Sequence, residues 1–375
     1  MKILNIVNTL DLEIGAGTTQ RTIELSRNLI LQGIDCTVIT LDINFSKRIK
    51  NNYSFKVVYL KSIFNRFFIP FPSFFKLAKE IKTAHCIHMI GHWSVLNIYV
   101  YLLAKILHVP FVICPAGSFQ VFGRSQLLKK FYNCFIGNKI VKDAKLIIAI
   151  TKLERLNFLD RNISPNKIIV IPNGIEIDKS ERKINKLSFQ KKFNLCNKKI
   201  ILFMGRLNYI KGIDLLIDAF IKSDLSSFNY QLVIAGRDEG YLSYLEHSIA
   251  KSKKNGCINY VGFLNAHDKA MAYKSSYLLV VPSRNEAMSL VAVEAMSYGL
   301  PVMLTDQCGF NDVKKINKLF IAKANLNSLT KNLVSILKDK NLPDDYKVEF
   351  KKIANSYSWE SLINTYISLF KKLRL

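Results

Sequence analysis

The sequence predicts an α/β protein built from two Rossmann-like domains, each on a parallel sheet. Three observations carry that expectation. Apolar, β-rich runs recur from end to end with helix-period segments between most of them, and uninterrupted apolar strands separated by helices belong to sheets covered on both faces. At 375 residues, the chain is longer than one hydrophobic core usually supports. A composition of 49% apolar and 22% charged residues is that of packed domains and excludes a disordered chain.

The elements follow in order. KILNIVN (2–8) reads as the first strand, the amphipathic QRTIELSRNLILQG (20–33) as a helix closed by Gly33, and CTVITL (36–41) as the next strand. FKVVYL, CIHMI, FVICP, LIIAI and IIVIP continue the first α/β unit. The charged, poorly periodic stretch 176–199 is the expected connector. A second unit follows with IILFMG, YQLVIAG, INYVGF, YLLVVPS and PVMLT. Two such units imply a cleft between them, with ligands at the carboxyl ends of the strands. Gly15, Gly91, Pro115, Gly205, Gly236 and Ser283 fall on those ends.

A formal charge of +26 favours anionic partners, whether nucleic acid, acidic phospholipid or phosphorylated small molecules, without choosing among them. The basic residues are dispersed and no nucleic-acid-binding motif appears, so a basic nucleic-acid-binding protein is a distant alternative and no nucleic-acid partner is expected. Seven cysteines include no C-x-x-C pair, which fits free thiols in a reducing cytosol. The N-terminus reads as a strand and not a signal peptide, and the apolar segment 95–109 is too short to span a bilayer. The expected setting is cytoplasmic, with room for peripheral contact on the inner face of the membrane.

Two stretches carry chemistry. In FMGRLNYIKG (203–212), Gly205 permits a tight exit from a strand, and Arg206 and Lys211 stand just before a helix. Two cations beside a helix N-terminus suit a diphosphate; taken alone, they also read as solvated loop residues. In VPSRNEAMSLVAVEAMSYGLPV (281–302), Glu286 sits in a loop, Ser289 can cap the following helix, and Gly299 with Pro301 stops it. Glu294 is the one charge on that apolar helix, and a carboxylate taken from water needs a polar partner. The vicinal hydroxyls of a ribose would satisfy both of its oxygens.

These residues resemble the retaining GT-B glycosyltransferases of family 4, the group 1 class. Glu286 and Glu294 match that family's E-x7-E element, and support comes from GRLNYIKG, VIPNGI, VIAGRDEG, the N-terminal GAGTTQRTIELSRNLILQGIDCTVIT and the closing YSWESLINTYISLFKKL. The resemblance implies an acceptor domain over 1–175, rejoined by a terminal helix over 358–375, and a nucleotide-sugar donor domain over 176–357. Arg206 and Lys211 would hold the donor diphosphate, Glu294 the ribose, and Glu286 the donor sugar. Backbone amides of Met288, Ser289 and Leu290 would add donors, Gly205 and Gly236 would line the nucleotide, and Gly15, Ala16 and Gly17 would form a small-residue loop near the diphosphate.

The implied reaction moves a sugar from a UDP- or GDP-linked donor to a saccharide or lipid-linked saccharide with retention. Its setting would be surface polysaccharide assembly: lipopolysaccharide, O-antigen, capsule or exopolysaccharide. Neither metal nor cofactor is implied. An epimerase or glycan synthase of the same fold is the alternative. The chain departs from the family pattern at Ala287, where Gly is common, and at Ala116, where many members carry His or Arg. Of His88, His92 and Trp93, His92 is the candidate acceptor-side catalytic residue, and His88 reads as core.

The stretch 62–82 interleaves Phe67, Phe68, Phe71, Phe74 and Phe75 with Arg66, Lys76 and Lys79. Its two readings are contact with an anionic membrane surface and the core side of a helix.

Overall fold

The structure, a computed structural model, describes residues 1–43, 53–64, 68–119, 121, 125–177, 186–251, 257–310, 312–338 and 342–373. Arg66 and Phe67 lie outside them. The chain divides into two compact units, Met1–Glu176 with Trp359–Leu375, and Ile177–Ser358.

The first unit holds an eight-stranded sheet made of β1 (Lys2–Ile6), β2 (Asp35–Asp42), β3 (Lys56–Phe64), β4 (Ile69–Pro70), β5 (Cys86–Ile90), β6 (Phe111–Cys114), β7 (Leu146–Ala149) and β8 (Ile168–Val170), in the order 4-3-2-1-5-6-7-8. All neighbours are parallel except the short β4, which turns back antiparallel on β3. Its helices are α1 (Leu12–Leu31), α2 (Phe74–Lys82), α3 (Val95–Ile106), α4 (Gln126–Tyr132), α5 (Asn138–Asp143) and α6 (Lys152–Leu159), with a π turn over Asn133–Gly137. The buried strands β5 and β6 have no exposed residue at all, which is why they read as continuous apolar runs.

The second unit has a six-stranded, all-parallel sheet of β9 (Lys199–Met204), β10 (Tyr230–Ala235), β11 (Ile258–Tyr260), β12 (Ser276–Val281), β13 (Val302–Thr305) and β14 (Ile321–Ala322), in the order 11-10-9-12-13-14. Its helices are α7 (Lys186–Lys192), α8 (Ile213–Lys222), α9 (Leu242–Lys251), α10 (Ala266–Ser275), α11 (Leu290–Ser297), α12 (Leu326–Leu337), α13 (Leu342–Asp345) and α14 (Lys347–Asn355). Strand order reverses between β9 and β12 here and between β1 and β5 in the first unit. Loops diverge at such points and leave a crevice at the carboxyl ends.

The last helix, α15 (Trp359–Lys372), belongs to the first unit. Arg21 of α1 is fully buried and ties it down, donating to Tyr366 Oη and to Asn173 Oδ1. Gly174 makes room for the docking, since a Cβ there would stand 2.6 Å from the Trp359 ring.

α7 forms within the expected connector 176–199. Across the stretch 62–82, Ile63 and Phe64 end β3, and α2 begins at Phe74. Leu77 and Ile81 form the buried face of α2, whereas Phe75 is 96% exposed. Among the described residues, no helix is long and apolar enough to cross a membrane.

Candidate active site

In the second unit, the loop after β9 and the loop after β12 meet at the strand-order reversal. The β9 loop is shaped by Asn208, whose Oδ1 accepts from the Lys211 amide at 3.0 Å and closes a 3-10 turn over Tyr209–Lys211. That turn delivers Lys211 to the start of α8. The β12 loop is laced to it, because the Arg284 amide donates to the Ile210 carbonyl at 2.7 Å. Arg284 also makes a two-pronged ion pair with Asp214 at 2.7 and 2.5 Å and covers the Tyr209 ring at 4.0 Å.

This lacing brings Lys211 Nζ within 2.7 Å of Glu286 Oε1, while Ser283 Oγ donates to Glu286 Oε2 at 2.9 Å. Both oxygens of Glu286 are thus held, and its amide donates to the Gln307 carbonyl at 2.9 Å. The side chains of Lys211 and Glu286 are 21% and 13% exposed, so the pair is sheltered yet reachable. A half-buried ion pair of this kind is stiff and carries a strong local field.

Glu294 lies one turn inside α11, whose first turn is capped by Ser289 Oγ accepting from the Ala292 amide. The chain itself supplies part of its polar partnership: Tyr273 Oη donates at 3.0 Å and Lys269 Nζ lies at 2.7 Å, both on Oε2. The expectation that a ribose alone satisfies this carboxylate is corrected to that extent. Burial, and then the Glu294 charge, push the Tyr273 hydroxyl well above its ordinary range. It therefore stays protonated and donating. Met288 and Ser289 are buried beneath the helix start, and Leu290 is its first residue.

Arg206 does not join Lys211 on Glu286. Its Nη1 sits 2.9 Å from Glu239 Oε1, and Asn208 Nδ2 donates to Glu239 Oε2 at 2.7 Å. Glu239 is the participant that sequence reading missed. A signal for it lay in AGRDEG, where Asp238 Oδ1 accepts from the amides of Gly240, Tyr241 and Leu242 and shapes the turn carrying Glu239. Gly236 is required by close approach, since its φ is +146° and a Cβ would fall 1.8 Å from the Gly205 carbonyl oxygen. Among the described residues, no three His, Cys, Asp or Glu side chains gather as metal ligands.

In the first unit, Gly15, Ala16 and Gly17 are not a loop. They lie in the opening of α1, whose first turn begins as the amides of Ile14 and Gly15 donate to the Asp11 carbonyl. Gly15 is small because Thr19 Oγ1, donating to the Thr9 carbonyl at 2.7 Å, would stand 1.9 Å from a Cβ there. His88 is buried and faces Asn5 Oδ1 at 3.0 Å.

His92 is also buried, at 1% exposure. The rings of Trp93, Phe119 and Tyr132 surround it at 4.7, 5.1 and 5.4 Å, and Nε2 meets Asn133 Oδ1 at 2.7 Å. Burial pushes its pKa down to about 4, with the Asn133 contact opposing and Arg161 assisting. His92 was the candidate acceptor-side catalytic residue; as folded, its ring is enclosed. Glu154, also buried, holds the neighbouring strand ends by accepting from the amides of Gly117 and Ile150 at 2.7 Å each.

Two doubly wound parallel units, one with a cation–carboxylate pair at its switch point, define the class as Rossmann-like α/β proteins that bind at strand ends. The comparisons narrow this. Residues 15–179 match the model of Glycosyltransferase Family 4, and residues 184–352 match that of Glycosyl transferases group 1. The chain belongs to this family of GT-B glycosyltransferases and is a glycosyl-transferring enzyme.

Among its relatives, an uncharacterised glycosyltransferase of Methanocaldococcus jannaschii is 31% identical over 56% of this chain and 55% of its own length. A second from that organism is 25% identical over 92% and 91%. The capsular polysaccharide biosynthesis glycosyltransferase CapM of Staphylococcus aureus is 25% identical over 65% and 67%. The solved structure of Anabaena HepE in complex with UDP has a TM-score of 0.78 at 17% identity and covers all of both chains. Sucrose-phosphate synthase of Thermosynechococcus elongatus scores 0.77 at 18% identity, covering 100% of this chain and 99% of its own. At those identities the two structures speak for the fold.

Proposed function

We propose that the protein transfers a sugar from a UDP- or GDP-linked donor to a hydroxyl of a saccharide or lipid-linked saccharide, with retention at the anomeric carbon. The observation that carries this reading is the Lys211–Glu286 pair, braced by Ser283 at the switch point of the second sheet. The second unit would take the donor and the first the acceptor. Support for a uridine nucleotide comes from HepE, which was solved with UDP and with UDP-glucose. Support for surface polysaccharide assembly comes from CapM and from a lipopolysaccharide core mannosyltransferase of Rhizobium meliloti.

In the reaction, the acceptor oxygen forms a bond to the anomeric carbon as the bond to the diphosphate oxygen breaks. The acceptor proton passes to the departing phosphate on the same face, so the protein need not supply a strong base. Lys211 neutralises the charge growing on the leaving group, an interaction strongest in the transition state. Arg206 turns from Glu239 to the diphosphate, at little cost because the pair it leaves is exposed. Glu286 sits against the donor sugar, and Glu294 takes ribose hydroxyls on the oxygen that Tyr273 and Lys269 leave aside. Backbone amides at the start of α11 add donors.

A panel of nucleotide sugars, scored for nucleotide release and thermal shift, tests the assignment. One donor should be hydrolysed or transferred by the wild type and not by Lys211→Ala, and Glu294→Ala should lose the shift. Wild type and both variants behaving alike would remove the donor site.

A further inference from the structure

From Ile43 to Lys142 the chain carries 15 lysines and arginines against a single acid, Glu80. That acid is already engaged by Lys2 and Lys56. Within this cationic span, α4 has no buried residue. Leu127, Leu128, Phe131 and Phe135 stand in water, with Leu127 at 71% and Phe135 at 76% exposure. Their spacing, i, i+1, i+4 and i+8, sets them along one helical stripe. Phe131 and Phe135 lie nearly parallel, with ring centroids 6.4 Å apart.

The other side of the segment anchors it to the unit. Tyr132 Oη donates to the Ser94 carbonyl at 3.2 Å, and Asn133 Oδ1 meets His92. The stripe is therefore presented outward by a fixed inner face, and Lys130 stands exposed beside it. Lys129 reaches over the Trp93 ring at 5.7 Å.

Large apolar side chains concentrated on one stripe mark a surface that something covers. Two occupants compete, a second copy of this chain and an anionic bilayer. Self-association through this face would set lysine-flanked surface against lysine-flanked surface, with almost no acid in the span to relieve the repulsion. A lipid surface answers both features at once, since it offers hydrocarbon to the rings and negative phosphate to the lysines. We propose that α4 and the π turn after it lie on an anionic membrane, with Leu127, Leu128, Phe131 and Phe135 at the acyl boundary and Lys129 and Lys130 at the level of the phosphates. The occupant stands independently of the sugar chemistry, because lipid binding needs no donor.

Co-sedimentation of the full chain with vesicles of phosphatidylcholine, with and without phosphatidylglycerol, tests the surface. The wild type should pellet with the anionic vesicles and stay largely in solution with the neutral ones or at high salt. Leu127→Ser/Phe131→Ser/Phe135→Ser should weaken partitioning by about tenfold or more, because binding scales with the apolar area buried. Lys129→Glu/Lys130→Glu should erase the preference for anionic lipid. Melting curves of the variants check that they remain folded, and the lysine variant reads the same surface should the apolar one unfold. Unchanged pelleting of both variants, or a wild type that ignores anionic vesicles, overturns the proposal. So does a wild-type dimer in light scattering that the apolar variant dissolves, which would make a second copy the occupant.

Discussion

The carboxyl ends of the two sheets use polar groups in opposite ways. In the second unit, Lys211 with Glu286 and Arg206 with Glu239 form paired, partly exposed charges, and the buried Ser283 braces Glu286. In the first unit, His92 and His88 are sealed, and buried Glu154 spends its oxygens on backbone amides. A family motif built of charges marks groups that keep access to solvent. An isolated histidine beside aromatic residues marks packing, because desolvation favours its neutral form.

The contrast breaks most readily at Lys211. Lys211→Ala should lower kcat by 100-fold or more, a barrier cost of roughly 3 kcal/mol, with little change in Tm. A variant within threefold of the wild type would move the leaving-group role elsewhere. Next, Glu294→Ala should raise the nucleotide Kd by about tenfold, as binding isotherms would show, and cost about 1–3 kcal/mol of stability by stranding Tyr273 and Lys269. Unchanged affinity would reduce Glu294 to a structural ion pair.

Two smaller effects sharpen the first unit. His92 titrates near 4 when folded against an ordinary 6.5, so the native state binds fewer protons in that window. Its contribution is present above about pH 6.5 and is lost as pH falls toward 4. Glu24 has the opposite sign. Burial, and then its neighbour Glu176, raise its pKa to about 7 from 4.5, so stability falls as pH rises from about 4.5 to 7. Urea midpoints across pH 4–8 should show both slopes, with His92→Phe flattening the first and Glu24→Gln the second. A His92 variant that alters the pH profile of kcat and leaves the stability slope untouched would restore it as a reacting group.

Strands β1 to β3 and β5 to β13 were legible because continuous apolar runs have one meaning in a doubly wound sheet. The two-residue strands β4 and β14 were not, being too short to show a pattern. The helical start at Gly15–Gly17 was hidden because glycines suggest a loop until Thr19 is seen to need the space. Glu286, Lys211 and Ser289 were legible from spacing. Glu239 was not, because its importance lies in what it touches.

By itself, the sequence determined the two α/β units, the strand ends on which charges sit and the family to which they belong, since period and motif are local along the chain. Only the tertiary structure decided that Lys211 meets Glu286 across 75 positions, that Glu239 claims Arg206, and that His92 lies inside a ring of aromatic residues. Pairing and burial depend on which loops the sheet order brings together, and no local pattern encodes that.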